Sequence, residues 1–145
     1  YKNIALKNLI NNSIKKNEVE KYEITKYNKQ DLKSYIDKIA QNLNTSTLGL
    51  KEIFKSLGIS YDTLAKKHTT ELLWNTLIYS LYSNQININI VDVNNEIKVM
   101  EEKDSEFDIK KIKKKIVSKK KEEKLNLFSR SHFSNLENTV QIEFK

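Results

Sequence analysis

Cysteine and proline are both missing from this sequence of 145 residues, and glycine occurs only twice. The absence of cysteine excludes disulfide scaffolds, cysteine-ligated zinc, iron–sulfur clusters and catalytic thiols. The scarcity of glycine excludes phosphate-binding loops that need several glycines. No apolar run approaches the ~18 residues of a membrane span. We therefore expect no membrane partner and no cofactor. The expected location is cytoplasmic, with association with the nucleoid or the nucleus as an option.

Positive charge is concentrated in one short segment. The chain carries 26 basic and 19 acidic residues, and residues 110–121 hold eight lysines with no acidic residue. A dense lysine run attracts polyanions by releasing their condensed counterions, and it contacts phosphates without distinguishing bases. A solvated helix face in a lysine-rich chain explains the run equally well. Its members are Lys110, Lys111, Lys113, Lys114, Lys115, Lys119, Lys120 and Lys121.

Apolar spacing predicts a series of helices. In the clearest pattern, residues 29–43, apolar side chains recur every three or four positions and form one stripe. Thr69 or Thr70 is expected to cap the most apolar helix, because threonine side chains commonly accept a hydrogen bond at that position. The helices expected from this spacing are 4–16, 29–43, 47–57, 61–67, about 70–84 and 105–124.

Alternating apolar residues predict a smaller β component. Between residues 86 and 101, isoleucine and valine alternate with polar residues around Asn94-Asn95, a pair that tolerates a tight turn. A β-hairpin is expected there, and a final strand is expected over residues 139–144. The predicted fold is α+β and mainly helical. Its segments are an N-terminal helix and connector (1–28), a helical core with the hairpin (29–102), a lysine-rich helix or arm (103–124), and a C-terminal loop and strand (125–145). We interpret the chain, which begins without Met, as a piece of something longer.

Residues 50–65 carry the pattern that points to function. Apolar Ile53, Leu57, Ile59 and Leu64 surround Gly58, and Ser60 opens the following helix. This pattern resembles the helix-turn-helix signature of DNA-binding regulators, and with the hairpin as a wing the chain is similar to winged-helix domains. The family usually has a small residue where Phe54 stands and an aliphatic residue near Lys67. The resemblance implies that the residues facing DNA are Ser60, Tyr61, Thr63, Lys66 and Lys67. The alternative is a helix–turn–helix with a purely structural role.

The apolar helix at 70–84 supports a different hypothesis. Its apolar residues cover more than half of the circumference, which is typical of a core helix or of an oligomer interface. In the second case the chain is a module that forms a homodimer or joins a larger protein complex. The interface residues would be Trp74, Leu77 and Leu81.

Enzyme activity is not expected. His68 is predicted near a helix end, in a capping or exposed role. Ser129-Arg130-Ser131-His132 is a polar cluster in the predicted loop, and an arginine with a histidine can bind and cleave a phosphodiester. A small basic RNase is therefore a distant alternative. The acidic residues at 101–108 lack the glycine and spacing of an EF-hand, so no metal site is predicted. The favoured hypothesis is nucleic-acid binding, with DNA preferred over RNA.

Overall fold

Every regular element in the described part of the chain is helical. The computed structural model describes residues 2–103 and 108–140. Its elements are α1 (Lys2–Lys21), α2 (Lys29–Asn42), α3 (Thr47–Ser56), α4 (Tyr61–Tyr82), a 3₁₀ turn (Ser83–Gln85), α5 (Ile90–Lys103) and α6 (Ile109–Thr139). These ranges contain no strand, so the predicted α+β class is wrong and the fold is all-α.

The predicted β-hairpin at 86–101 is replaced largely by α5. Val93 and Ile97, four residues apart, are only 1% and 6% exposed, and they pack in one cluster with Ile116 of α6. The side chain of Asn89 accepts a hydrogen bond from the backbone N of Val91 at 3.0 Å, which supports the first turn of the helix. The same valines and isoleucines fit both the two-residue alternation of a strand and the three- or four-residue spacing of a helix. Packing against α6 favours the helix.

The C-terminal region also differs from the expectation. The polar residues at 125–138, predicted as a loop, lie within α6, a single helix of 31 residues. Thr139 is the last residue of that helix, and Val140 follows it without regular structure. The rest of the predicted final strand, residues 141–144, lies outside the described residues.

Helix α4 joins two helices that the sequence predicts as separate. It runs unbroken for 22 residues. Thr69 and Thr70, the expected caps, instead donate their hydroxyls to the carbonyls of Ala65 and Lys66, at 2.8 and 3.2 Å. Both bonds reach back to the preceding turn of the same helix, so neither threonine caps the start of a helix, and the predicted cap is wrong.

The chain forms two compact units. Among the described residues, the first comprises 2–77 and 136–140, and the second comprises 78–103 and 108–135. In the first unit, Ile36 and Ala40 of α2 bury against Leu50 of α3, which confirms the apolar stripe predicted for α2. Asn28 caps the start of α2, because its side chain accepts a hydrogen bond from the backbone N of Gln30.

The second unit is built around the pairing of α5 with α6. Its buried cluster of Val93, Ile97 and Ile116 is flanked by partly buried Ile88, Ile112 and Val117. The ammonium of Lys124 also donates to the carbonyl of Asn87. Within residues 2–103 and 108–140, no helix has the length and apolarity needed to cross a membrane.

Candidate nucleic-acid-binding surfaces

The lysine run lies on α6, and one side of this helix packs against α5. Ile116 is buried and Ile112 partly buried against α5. With 3.6 residues per turn, Lys110, Lys114 and Lys121 lie on the side of α6 opposite these two isoleucines. Seven of the eight lysines of the run are exposed, and only Lys120 is half-buried. We call these seven the α6 lysine face: Lys110, Lys111, Lys113, Lys114, Lys115, Lys119 and Lys121.

Lys120 has a role that its neighbours do not share. Its ammonium lies 2.7 Å from a carboxylate oxygen of Glu96 on α5. The hydrogen bond to Glu96 raises the pKa of Lys120 above its ordinary value. Within the described residues this is the one ion pair formed by the run, so Lys120 joins two helices while the α6 lysine face pairs with no described carboxylate.

Like charges crowd the α6 lysine face. Lys111, Lys115 and Lys119 follow one another at four-residue intervals, as do Lys110 and Lys114. Each like-charge pair at this spacing destabilises a helix by about 0.2–0.5 kcal/mol. The packed isoleucines of α6 offset this repulsion. An anion bound along the face would relieve it.

The helix-turn-helix-like unit, residues 50–65, has the expected turn and the expected helix cap. Gly58 has a φ of +69°, the left-handed conformation that glycine adopts without steric cost. Ser60 Oγ accepts a hydrogen bond from the backbone N of Thr63 at 3.2 Å, which confirms it as the helix cap. The unit therefore turns at Gly58 and starts α4 at the expected residue.

The packing within this unit departs from the resemblance. Leu57 and Ile59, two apolar residues of the pattern, are 66% and 50% exposed and are not buried between the helices. The ring of Tyr61 lies edge-on to Phe54, with centroids 6.4 Å apart, and packs against the α2–α3 core. The described residues also contain no hairpin that could act as a wing. Of the residues expected to face DNA, Ser60, Thr63, Lys66 and Lys67 are exposed.

Three of those residues line a groove that the sequence did not predict. The groove lies in the first unit and has a volume of about 870 Å³. Thr63, Lys66 and Lys67 line it from the first turns of α4, and one face of α1 lines it from the other side. The α1 residues share a face because they recur every three or four positions, and they include Asn8, Asn12 and Lys16. This three- or four-residue spacing was the one feature of the sequence that indicated a shared face on α1.

The residues predicted as a partner interface are covered by the chain itself. Trp74 and Leu77 are each 1% exposed, and Leu81 is half-buried. The first two therefore offer almost no surface to a second protein. They belong to the core, which was the other explanation of an apolar α4.

The two histidines each contact an aromatic residue. His68 lies inside α4, not near its end, and stacks on Tyr35 of α2. His132 lies inside α6, with its Nδ1 2.6 Å from the hydroxyl of Tyr82. Arg130, two residues before His132, is exposed and lies on a nearly opposite side of the helix. The helix therefore does not bring Arg130 and His132 together as a nuclease pair would require.

Two further observations bear on function. Among the described residues, no group of three or more histidine or acidic side chains is arranged to hold a metal ion. Comparison with protein-family models, with curated proteins and with solved structures finds no match for the chain.

Proposed function

We propose that this protein binds nucleic acid, and that the α6 lysine face holds the phosphate backbone. The observation that carries the proposal is the pairing of α5 with α6. Burial of Ile116 turns Lys110, Lys114 and Lys121 away from the core. A helix fixed in this orientation presents its ammonium groups to a polyanion without unfolding or rearranging.

The spacing of the charges suits a nucleic-acid backbone. Residues 110–121 span about 16 Å along the helix axis at 1.5 Å per residue. The same length of duplex carries about ten phosphates. The outward lysines are therefore no denser than the phosphates they would meet, and each can displace a condensed counterion. Because lysine is a point charge, this binding is expected to be insensitive to base sequence.

The size of the salt effect follows from the lysines that share the outward side. Five of them, Lys110, Lys111, Lys114, Lys115 and Lys121, lie on or beside that side. If all five neutralise phosphates, the logarithm of the binding constant falls with the logarithm of salt with a slope of about −4 to −5 on duplex DNA. The expected slope is shallower, about −3.5, on a single strand. This difference distinguishes binding to a duplex from binding to a single strand.

A binding assay with a matched control tests the proposal. Fluorescence anisotropy with a labelled DNA duplex compares wild type with the triple variant Lys110→Gln, Lys114→Gln, Lys121→Gln. The control variant removes three exposed lysines elsewhere, Lys26→Gln, Lys38→Gln and Lys98→Gln, for the same change in net charge. We expect the α6 variant to lose affinity at least tenfold more than the control. Equal losses in the two variants would overturn the assignment to α6.

A further inference from the structure

The groove of the first unit has the dimensions of a ligand site. Helices α1 and α4 are joined where Lys15 pairs with Glu71 at 2.8 Å, and the turns before this contact line the groove from both sides. Its volume of about 870 Å³ lies within the range of small-molecule sites in proteins. A ligand there would contact both helices at once.

The groove is cationic. Lys16 of α1 and Lys66 and Lys67 of α4 all line it, and none of its lining residues is acidic. Within residues 2–103 and 108–140, no carboxylate pairs with any of these three lysines, whereas the neighbouring Lys15 is held by Glu71. Three lysines from two helices line one concave surface, and they favour an anionic group in the ligand.

Two other lining side chains, Tyr27 and Asn12, favour a ligand with a flat ring and polar edges. Tyr27, from the segment between α1 and α2, is half-buried at the groove and offers an aromatic ring for stacking. The side-chain oxygen of Asn12 is buried without a hydrogen-bond partner. That oxygen gives up no hydrogen bond when the side chain turns toward a ligand, so it is available to an N–H donor.

We propose that this groove binds a nucleotide, either free or as one unit of a single strand. The phosphate lies among Lys16, Lys66 and Lys67, the base stacks on Tyr27, and an N–H group on the base edge donates to Asn12. A duplex is a poorer ligand, because its bases are already stacked and paired. The proposal goes beyond the backbone binding assigned to α6 and uses no residue of the α6 lysine face.

Calorimetric titration of the full chain tests the site with four probes: inorganic phosphate, AMP, single-stranded tetra-adenylate, and a duplex of the same length with closed ends. We expect saturable binding of AMP, at least fivefold tighter than phosphate because the base adds contacts. In the α6 triple variant, similar affinities for AMP and tetra-adenylate would identify a free nucleotide as the groove's ligand, and tighter tetra-adenylate binding would identify a single strand. Absence of saturable AMP and tetra-adenylate binding at millimolar concentration would overturn the proposal.

Substitutions in the groove distinguish contacts to the phosphate from contacts to the base. Lys66→Gln with Lys67→Gln, both at exposed positions, should weaken AMP binding at least tenfold. Tyr27→Leu should weaken AMP binding at least threefold and leave phosphate binding unchanged, and Tyr27→Phe should restore AMP binding. The α6 triple variant serves as the control and should bind AMP as wild type does. If AMP binding survives the groove substitutions, or falls equally in the α6 control, the groove is not the site. This outcome is independent of the duplex assay on α6.

Discussion

The ring of His68 lies parallel to the ring of Tyr35, with centroids 3.6 Å apart and an angle of 7° between the planes. The contact joins α4 to α2 inside the first unit. Burial lowers the pKa of His68 below its ordinary value of 6.5, and the nearby carboxylates of Glu71 and Asp31 offset part of that effect. The folded chain therefore holds His68 neutral at a pH where the unfolded chain begins to protonate it.

This pKa shift predicts a pH-dependent stability. The unfolded state binds more protons than the folded state between the lowered pKa and about 6.5, so the free energy of unfolding falls as the pH drops through that interval. Thermal unfolding of wild type and of His68→Phe, measured from pH 7.5 to 5, tests this. The phenylalanine keeps a stacked ring and cannot titrate, so its Tm should fall less steeply. Equal slopes would show that His68 does not contribute.

Gly58 should resist substitution because of its backbone and not because of crowding. A Cβ at this position would meet no atom within 4 Å, but the φ of +69° is unfavourable for other residues. We expect Gly58→Ala to lower the free energy of unfolding by about 1–2 kcal/mol. Gly58→Asn should cost less, because asparagine tolerates this conformation. Urea denaturation measures both values, and an alanine variant as stable as wild type would contradict the turn geometry.

Lys115 and Lys120 should have opposite effects on stability. Lys115 lies four residues from both Lys111 and Lys119, so Lys115→Gln should stabilise the chain by a few tenths of a kcal/mol at low salt. Lys120→Gln should destabilise it, because Glu96 loses its partner. Thermal unfolding at about 10 mM and 500 mM salt measures both, since added salt screens exposed charges. A loss of stability in Lys115→Gln that does not depend on salt would contradict the repulsion.

Leu77 should behave as a core residue. It is 1% exposed, so Leu77→Ala is expected to lower the free energy of unfolding by about 2–5 kcal/mol through lost burial and the cavity left behind. Tyr79, two residues along the same helix, is 61% exposed and provides a matched control whose replacement by alanine should cost under about 0.5 kcal/mol. Urea denaturation and sedimentation test this together. A dimer dissociated by Leu77→Ala without loss of stability would restore the interface hypothesis.

Features determined by neighbouring residues were predictable from the sequence. Asn28 and Ser60 cap helices through hydrogen bonds to residues two and three positions away. Gly58 makes the turn after α3 because its own backbone adopts a positive φ. Their chemistry can therefore be recognised in short stretches of sequence. The cap at Ser60 and the stripe of α2 were predicted for this reason.

Features determined by distant residues were not predictable in this way. Val93 and Ile97 fit both an alternating and a helical pattern, and the packing partner that favours the helix, Ile116, lies on α6, after the end of α5. Thr69 could have capped a helix, but its hydroxyl bonds within an uninterrupted α4. The groove joins α1 to α4, more than forty residues apart in the sequence, so Lys16 and Lys66 showed no local relationship.

The salt dependence of duplex binding tests the central claim most directly, because it counts the phosphate contacts made by lysines. The anisotropy titration of wild type and the α6 triple variant is repeated between about 50 and 200 mM salt. The account predicts that loss of Lys110, Lys114 and Lys121 makes the slope shallower by about 2.7, close to 0.9 for each lost contact. An unchanged slope in the triple variant, with binding retained, would show that the α6 lysine face does not hold the backbone.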